Sequence, residues 1–381
     1  MKFIDFNRPS IVGKELEYIQ DAIYNQKALC GNGFYTKKCT RFMEEAFDIK
    51  KALLTTSGTS ALEMCALLLN LKSGDEVIMP SYTFVSTANA CVLRGATPVF
   101  IDIRQDTLNI DETKIEEAIT PRTKAIFVVH YAGVGAEMDA IVKIANKHNL
   151  VVVEDAAQGV DARYKNRYLG TLGDLGCYSF HETKNYICGE GGALLINDEK
   201  YCDRAEILLE KGTNRKKFFE GAVDKYSWVD VGSSYTPSEL NAAYLFGQLE
   251  CRAAIMKKRL AIYNTYLERL DFLEQKKLVR LPKAPAHCHI NGHMFYMICG
   301  SSDERERLIK YLKARNILIV THYVPLHTSP MGRKYGKSGS LPVTDYVAER
   351  LVRLPMFYAL TDEEQDYVIE HVTRFYEERM S

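Results

Sequence analysis

Between about residues 50 and 200, short apolar runs alternate with stretches whose apolar residues recur at helical spacing. "KALLTT" leads into "SALEMCALLLNL", "DEVIMP" into "TANACVLRG", "TPVFIDI" into "DETKIEEAI", and "KAIFVV" into "MDAIVKIANKHN". "LVVVED" is followed by a loop and then "LGCYSF". Runs that are apolar at every position need cover on both faces, and the intervening helices supply it. The pattern predicts an α/β fold with a parallel sheet between helical layers, and a ligand at the carboxyl ends of the strands.

Further on, "TPSE" predicts a helix start with Thr236 as cap, Pro237 in the first position and Glu239 closing a capping box. The helical pattern then runs through "LNAAYLFGQLECRAAIMKKRLAIYNTYLERL", long enough to cross between domains. "HMFYMICG", "SSDERERLIKYLKARN" and "ILIVTHYV" read as strand, helix and strand. "LTDEEQDYVIEHVTRFYEERM" reads as a closing amphipathic helix with a second capping box, Thr361 to Glu364. The expected division is a large domain over 1–249 and a smaller α+β domain over 250–381.

Composition narrows the chemistry. The 381 residues suffice for two domains, and 49 basic residues balance 49 acidic ones, so no basic excess favours nucleic acid. Ten cysteines form no C-x-x-C pair or zinc-ligand spacing, which suits free thiols in a reducing cytosol and no metal site. "MKFIDFNRPS" lacks the apolar core of a signal peptide, and no apolar run is long enough to span a bilayer. A cytoplasmic protein without membrane partners is expected. Nucleotide motifs fail as well: "GNGFYT" at Gly31 has two of the three glycines of G-x-G-x-x-G and follows no strand. "GRKYGKS", Gly332 to Ser338, is one residue short of a phosphate loop and reads as a mobile loop.

Four features at strand ends remain. In "TTSGTSAL", Gly58 permits close backbone approach, and the amides of Thr59 and Ser60 suit either an anion such as phosphate or a plain helix cap. In "LVVVEDAAQG", Asp155 caps the next element or pairs with a protonated ring nitrogen, and Gln158 lies in reach of an oxygen on such a ring. In "PSYTFVSTANA", Tyr82 or Phe84 stacks on a flat heterocycle or packs in the core. In "SFHETKNYICGEGG", Ser179 offers a hydroxyl to phosphate, and Lys184 is a candidate reactive amine if burial removes its proton. The glycines at 189, 191 and 192 let the chain turn past the site. A phosphate cradle, a carboxylate, an aromatic and a lysine are the parts that pyridoxal 5′-phosphate requires.

With "LPMFYALTDEEQDYV", these motifs resemble the DegT/DnrJ/EryC1/StrS nucleotide-sugar aminotransferases, of the aspartate aminotransferase-like fold (fold type I), from about Phe6 to Val368. The resemblance implies that Lys184 holds the cofactor covalently and shuttles protons, that Asp155 pairs with the pyridine nitrogen, and that Gln158 contacts the ring oxygen. It implies that Phe84, ahead of Tyr82, stacks on the ring, and that Gly58, Thr59 and Ser179 hold the phosphate. Many relatives carry G-x-N-Y-R, whose Asn reaches the partner subunit's phosphate. Here the run is "GSSYT", with Ser234 and Thr236 in place of Asn and Arg. "LCGNGFYTKKC", "HYAGVGAEMD", "EKGTNR", "VDKYSW" and "GSSYTPSEL" look like the members that aminate C4 of a dTDP-4-keto-6-deoxy hexose with L-glutamate as donor, as homodimers with shared sites. A dehydratase branch has histidine at this lysine, so Lys184 argues for amino transfer. His130, His181, His322 and His327 are candidates for the sugar or diphosphate, or are core residues.

Overall fold

The apolar runs become strands in the computed structural model, which describes residues 3–219 and 221–378. The outermost residues of the two expected domains, 1–2 and 379–381, lie outside the described residues, as does the tail of the expected last helix. In chain order the strands are β1 (Lys51–Thr55), β2 (Glu76–Pro80), β3 (Thr97–Ile101), β4 (Thr123–Val129), β5 (Val151–Asp155), β6 (Arg163–Tyr164), β7 (Arg167–Tyr168), β8 (Leu175–Ser179) and β9 (Gly192–Ile196). The remainder are β10 (Val279–Arg280), β11 (Cys288–His289), β12 (Tyr296–Cys299), β13 (Lys337–Ser338) and β14 (Leu351–Arg353).

The central sheet has the order β1-β9-β8-β5-β4-β2-β3-β13. It is parallel from β8 to β13, whereas β9 runs antiparallel to both β8 and β1. The sheet is therefore mostly parallel, as the resemblance to the aspartate aminotransferase-like fold implies. Its side chains alternate as pleating requires: Ile126 and Val128 of β4 enter one apolar cluster, Ala125 and Phe127 the other. Helices Phe34–Phe47, Met138–His148 and Glu239–Glu250 cover the first face. Helices Gly58–Leu68, Val85–Val92 and Cys202–Leu209 cover the second.

A third cluster, built from Ile4 and residues between Ile262 and Tyr376, surrounds the antiparallel sheet β10-β12-β14. A fourth, around Tyr82, Tyr131 and Tyr296, joins that sheet to the carboxyl ends of the central strands.

Several expectations need correction. The helix after "TPSE" starts at Glu239, capped by Ser238, whose hydroxyl accepts the Asn241 amide at 3.3 Å. Counted from Ser238, the third helical residue is Asn241, so no Glu stands where a capping box needs it. Glu239 instead serves a distant helix. It accepts the amides of Gly33, Tyr35 and Thr36 at 3.0, 2.7 and 3.1 Å, and the Thr36 hydroxyl, at the start of Phe34–Phe47. The long helix is two, Glu239–Glu250 and Arg252–Gln275, broken at Cys251. "ILIVTHYV" forms only isolated bridges, Ile317 to Ile4 and Val320 to Arg353, because β14 takes the place beside β12. "GRKYGKS" is no loop: Pro330–Tyr335 is helical and β13 extends the central sheet. The capping box at Thr361 and Glu364 is present. All ten cysteines are free, seven of them buried.

Candidate active site

The loops that leave β1, β2, β5 and β8 at their carboxyl ends converge on one cavity of about 520 Å³. Each contributes a group already singled out: Gly58 and Thr59, Phe84, Asp155 and Gln158, Ser179 and Lys184. Ser234 is exposed and lies outside this cavity of its own chain.

The candidate phosphate cradle is a helix N-terminus. Ser57 caps Gly58–Leu68 and accepts the Ser60 amide at 3.0 Å, so Ser60 is spent on the cap and is not an anion donor. The Gly58 and Thr59 amides are left to face the cavity, with the positive end of the helix dipole behind them. Gly58 is closely packed: a Cβ there would sit 3.0 Å from the Ser179 Cβ and 3.2 Å from the Tyr178 carbonyl oxygen. Gly192 of β9 lies under the same turn. A Cβ on it would meet the Ser57 carbonyl carbon at 2.3 Å and the Gly58 nitrogen at 2.4 Å.

Asp155 ends β5 and is buried. Its carboxylate accepts the Thr87 hydroxyl at 2.7 Å and the Ala157 amide at 3.2 Å, in a turn rather than at the head of a helix. Gln158 receives the Ala132 amide on its oxygen and donates one hydrogen to the Tyr323 hydroxyl, both at 2.7 Å. Its second N–H remains for a ligand. Phe84 lines the cavity with its ring half exposed, whereas Tyr82 is buried in the aromatic cluster behind.

Lys184 faces Asp155 across this space. Burial of the amine pulls its pKa down to about 8; the Asp155 carboxylate opposes that shift and the Arg353 guanidinium adds to it. The lysine thus has a substantial neutral fraction near physiological pH.

The four candidate histidines separate. His181 and His322 line the cavity. His130 is sealed in the core against Glu154 at 2.7 Å. His327 bonds Ser81 at 2.8 Å and Asp345 at 3.3 Å, away from the cavity lining. The sequence reading missed His293, Tyr323 and Arg353. His293 is held well below its ordinary pKa, chiefly by burial and then by Lys184. His322 stacks on Tyr323 with centroids 3.7 Å apart and bonds the Tyr131 hydroxyl at 2.7 Å. Only for Arg353 was a signal present, a cation inside the apolar run "LVRLPMFY".

Free amides at a helix start, a buried carboxylate, an aromatic face and a lysine held near neutrality fit a phosphorylated, nitrogen-protonated aldehyde ring. The comparisons agree on the class. Residues 9–373 match the DegT/DnrJ/EryC1/StrS aminotransferase family. The chain is 32% identical to GDP-perosamine synthase of Escherichia coli O157:H7 over the whole of both proteins. Its fold matches the aminotransferase TlmJ of Streptoalloteichus hindustanus with a TM-score of 0.90 and 28% identity, over 98% of this chain and 99% of that one. NtdA of Bacillus subtilis, solved with bound cofactor PMP, matches with a TM-score of 0.85 and 28% identity, over 96% and 82% of the two chains. The protein belongs to the DegT/DnrJ/EryC1/StrS family and is a pyridoxal-phosphate-dependent aminotransferase acting on sugar nucleotides.

Proposed function

We propose that this chain moves the amino group of L-glutamate to C4 of dTDP-4-dehydro-6-deoxy-D-glucose, giving dTDP-4-amino-4,6-dideoxy-D-galactose. The observation that carries the amino-transfer part is Lys184, depressed to about 8, facing Asp155 in a cavity headed by free helix amides. The dTDP-linked substrate is supported by the sequence motifs at Leu29–Cys39 and Gly232–Leu240.

Pyridoxal 5′-phosphate, when bound, supplies an electron sink for the carbon whose C–H bond must break. The amides of Gly58 and Thr59 and the Ser179 hydroxyl hold the phosphate. Asp155, fixed by Thr87 and Ala157, keeps a proton on the ring nitrogen. The free N–H of Gln158 reaches the ring oxygen, and Phe84 covers one ring face. Lys184 is the attachment point, and its neutral amine takes the proton from the donor's α-carbon. In the second half of the cycle it returns a proton to the sugar carbon that receives nitrogen. His181 and His322, which line the cavity, are assigned to the sugar or its diphosphate. Ser234, outside its own cavity, is assigned to the phosphate of a partner subunit in a homodimer. The cofactor and small domains divide at residues 249 and 250.

The relative GDP-perosamine synthase favours a second reading, a GDP-linked keto sugar. Both are tested by incubating the purified protein with L-glutamate and either dTDP-4-keto-6-deoxyglucose or its GDP-linked counterpart, with NMR of the product. Conversion of the GDP sugar alone would replace the dTDP assignment. A Lys184→Ala variant that still turned over would overturn the mechanism.

A further inference from the structure

Two buried asparagines decide what His293 can do. The Asn291 side chain donates to the carbonyls of Gln158 and Val160 at 2.9 and 2.8 Å, which ties it to the loop after β5. The Asn291 carbonyl in turn accepts the Asn185 side-chain N–H at 2.9 Å. A carbonyl only accepts, so the Asn185 amide is turned with its nitrogen toward Asn291 and its oxygen toward His293. That oxygen lies 2.9 Å from His293 Nδ1. An amide oxygen also only accepts, so Nδ1 carries the hydrogen. In a neutral ring this leaves Nε2 as a bare lone pair, and Nε2 makes no hydrogen bond to any described residue. Arg259 fixes the backbone here by donating to the carbonyls of Gly292 and His293 at 3.0 and 2.6 Å. The ionisable groups that act on the ring, Lys184, Arg259, Arg353 and His322, are all basic, and together with burial they hold it neutral.

We infer that His293 positions Lys184: its bare Nε2 accepts a hydrogen bond from the lysine amine once the bound cofactor has released that amine. Both residues line the same cavity, and Lys184 directly precedes Asn185, the residue that fixes the acceptor. Other acceptors there are engaged, Asp155 by Thr87 and Ala157 and the Gln158 oxygen by Ala132. His322 has no such lock, because its Nδ1 meets the Tyr131 hydroxyl, which can give or take a hydrogen. A ring kept neutral does not compete for the proton that Lys184 moves; it supplies direction only. With no hydrogen on Nε2, it cannot donate to the sugar's keto oxygen either.

The inference rests on Lys184 as the amine that bonds the cofactor, and borohydride reduction of the loaded protein followed by peptide mass tests that separately. Label on another residue would remove the Lys184 assignment itself. The contact is read by nitrogen NMR of the protein with isotope-labelled histidines. His293 is identified by its absence from His293→Asn, or by the proximity of its Nδ1 proton to the Asn185 amide. Nδ1 should be protonated and Nε2 bare. When pyridoxamine 5′-phosphate replaces pyridoxal 5′-phosphate, Lys184 is freed and the Nε2 signal should move toward the protonated position. In Lys184→Met the same exchange should leave it in place. A protonated Nε2, no movement in wild type, or an equal movement in Lys184→Met would each overturn the inference. These spectra need no amino donor, and the wild-type comparison stands even if a variant fails to fold. In turnover, His293→Asn keeps an N–H for Asn185 and lacks only Nε2. Its half-reaction with L-glutamate should lose roughly 10- to 100-fold in kcat with KM little changed, the scale for a hydrogen bond to a charged group. With α-deuterated L-glutamate its isotope effect should be at least as large as that of wild type. A loss confined to KM, or a smaller isotope effect, would show a merely structural histidine and overturn the inference.

Discussion

Replacing Asp155 with Asn should make Lys184 more reactive in the cofactor-free protein while it removes catalysis. At an ordinary pKa of 10.5, about one amine in a thousand is neutral at pH 7.5; at about 8, roughly one in four is. Three influences set that value: burial and Arg353 lower it, and Asp155 alone raises it. Asn keeps the shape and the Thr87 contact but deletes the one stabilising charge. Losing a nearby opposite charge shifts a group by up to roughly 1–3 units, and a shift of one unit would already leave most of the Lys184 amine neutral at pH 7.5. The assay is the pH profile of Lys184 modification by a simple aldehyde, trapped by borohydride and located by peptide mass. Its midpoint should move down from about 8. Turnover of the loaded variant should fall by roughly 100-fold or more, because no carboxylate then holds the proton on the ring nitrogen. A midpoint that stays in place or moves up would refute the electrostatic reading, since a purely structural Asp155 has no reason to act on Lys184.

Other consequences can be measured on the same protein. In the cofactor-free state the folded chain releases the Lys184 proton near pH 8 while the unfolded chain keeps it to about 10.5, so stability should rise between those values. The rise is at most about 1.4 kcal/mol per pH unit, and urea titrations should show it as a difference between wild type and Lys184→Met. Glu239→Ala leaves the amides of Gly33, Tyr35 and Thr36 without their acceptor, the last two of them buried, and should cost about 3 kcal/mol in urea unfolding; a loss under 1 kcal/mol would contradict that role. Gly192→Ala forces a methyl against the Ser57–Gly58 turn, with an overpacking cost of about 1–3 kcal/mol. Cofactor affinity should drop roughly tenfold or more, and unchanged binding would show that the turn is not the cradle.

Legibility in the sequence followed the range of the interactions. β2, β4 and β5 could be read because strands buried on both faces are apolar at nearly every position, a local signal. Asp155 stood out because it ends such a run, and Lys184 because a polar turn and a group of glycines frame it just beyond another. The reversal of β9 carried no local mark, since "GALLI" is equally apolar in either direction. Ser238 displaced Thr236 as cap because Glu239 was claimed by a helix some 200 residues earlier. His130 and His293 look alike in sequence, and only the packing of separate elements puts one against Glu154 and the other into the cavity. The one local sign at Arg353, a cation inside an apolar run, did not show its place in the site, because its neighbours Phe6, Tyr131 and Tyr323 come from three distant segments.

The placement of β1 has a consequence for synthesis. It sits at the sheet's edge with β9 as its single neighbour, Thr55 opposite Gly192. At about 5–20 residues per second, the roughly 140 residues between them take about 7–28 s to leave the ribosome. Until then β1 has no strand to pair with, and the turn at Ser57 has no floor. A nascent chain stopped just before β9 would already contain Gly58, Thr59, Phe84, Asp155, Gln158, Ser179 and Lys184. It would carry every group proposed for the cofactor except Ser234, while the turn proposed to seat the phosphate still lacked its floor.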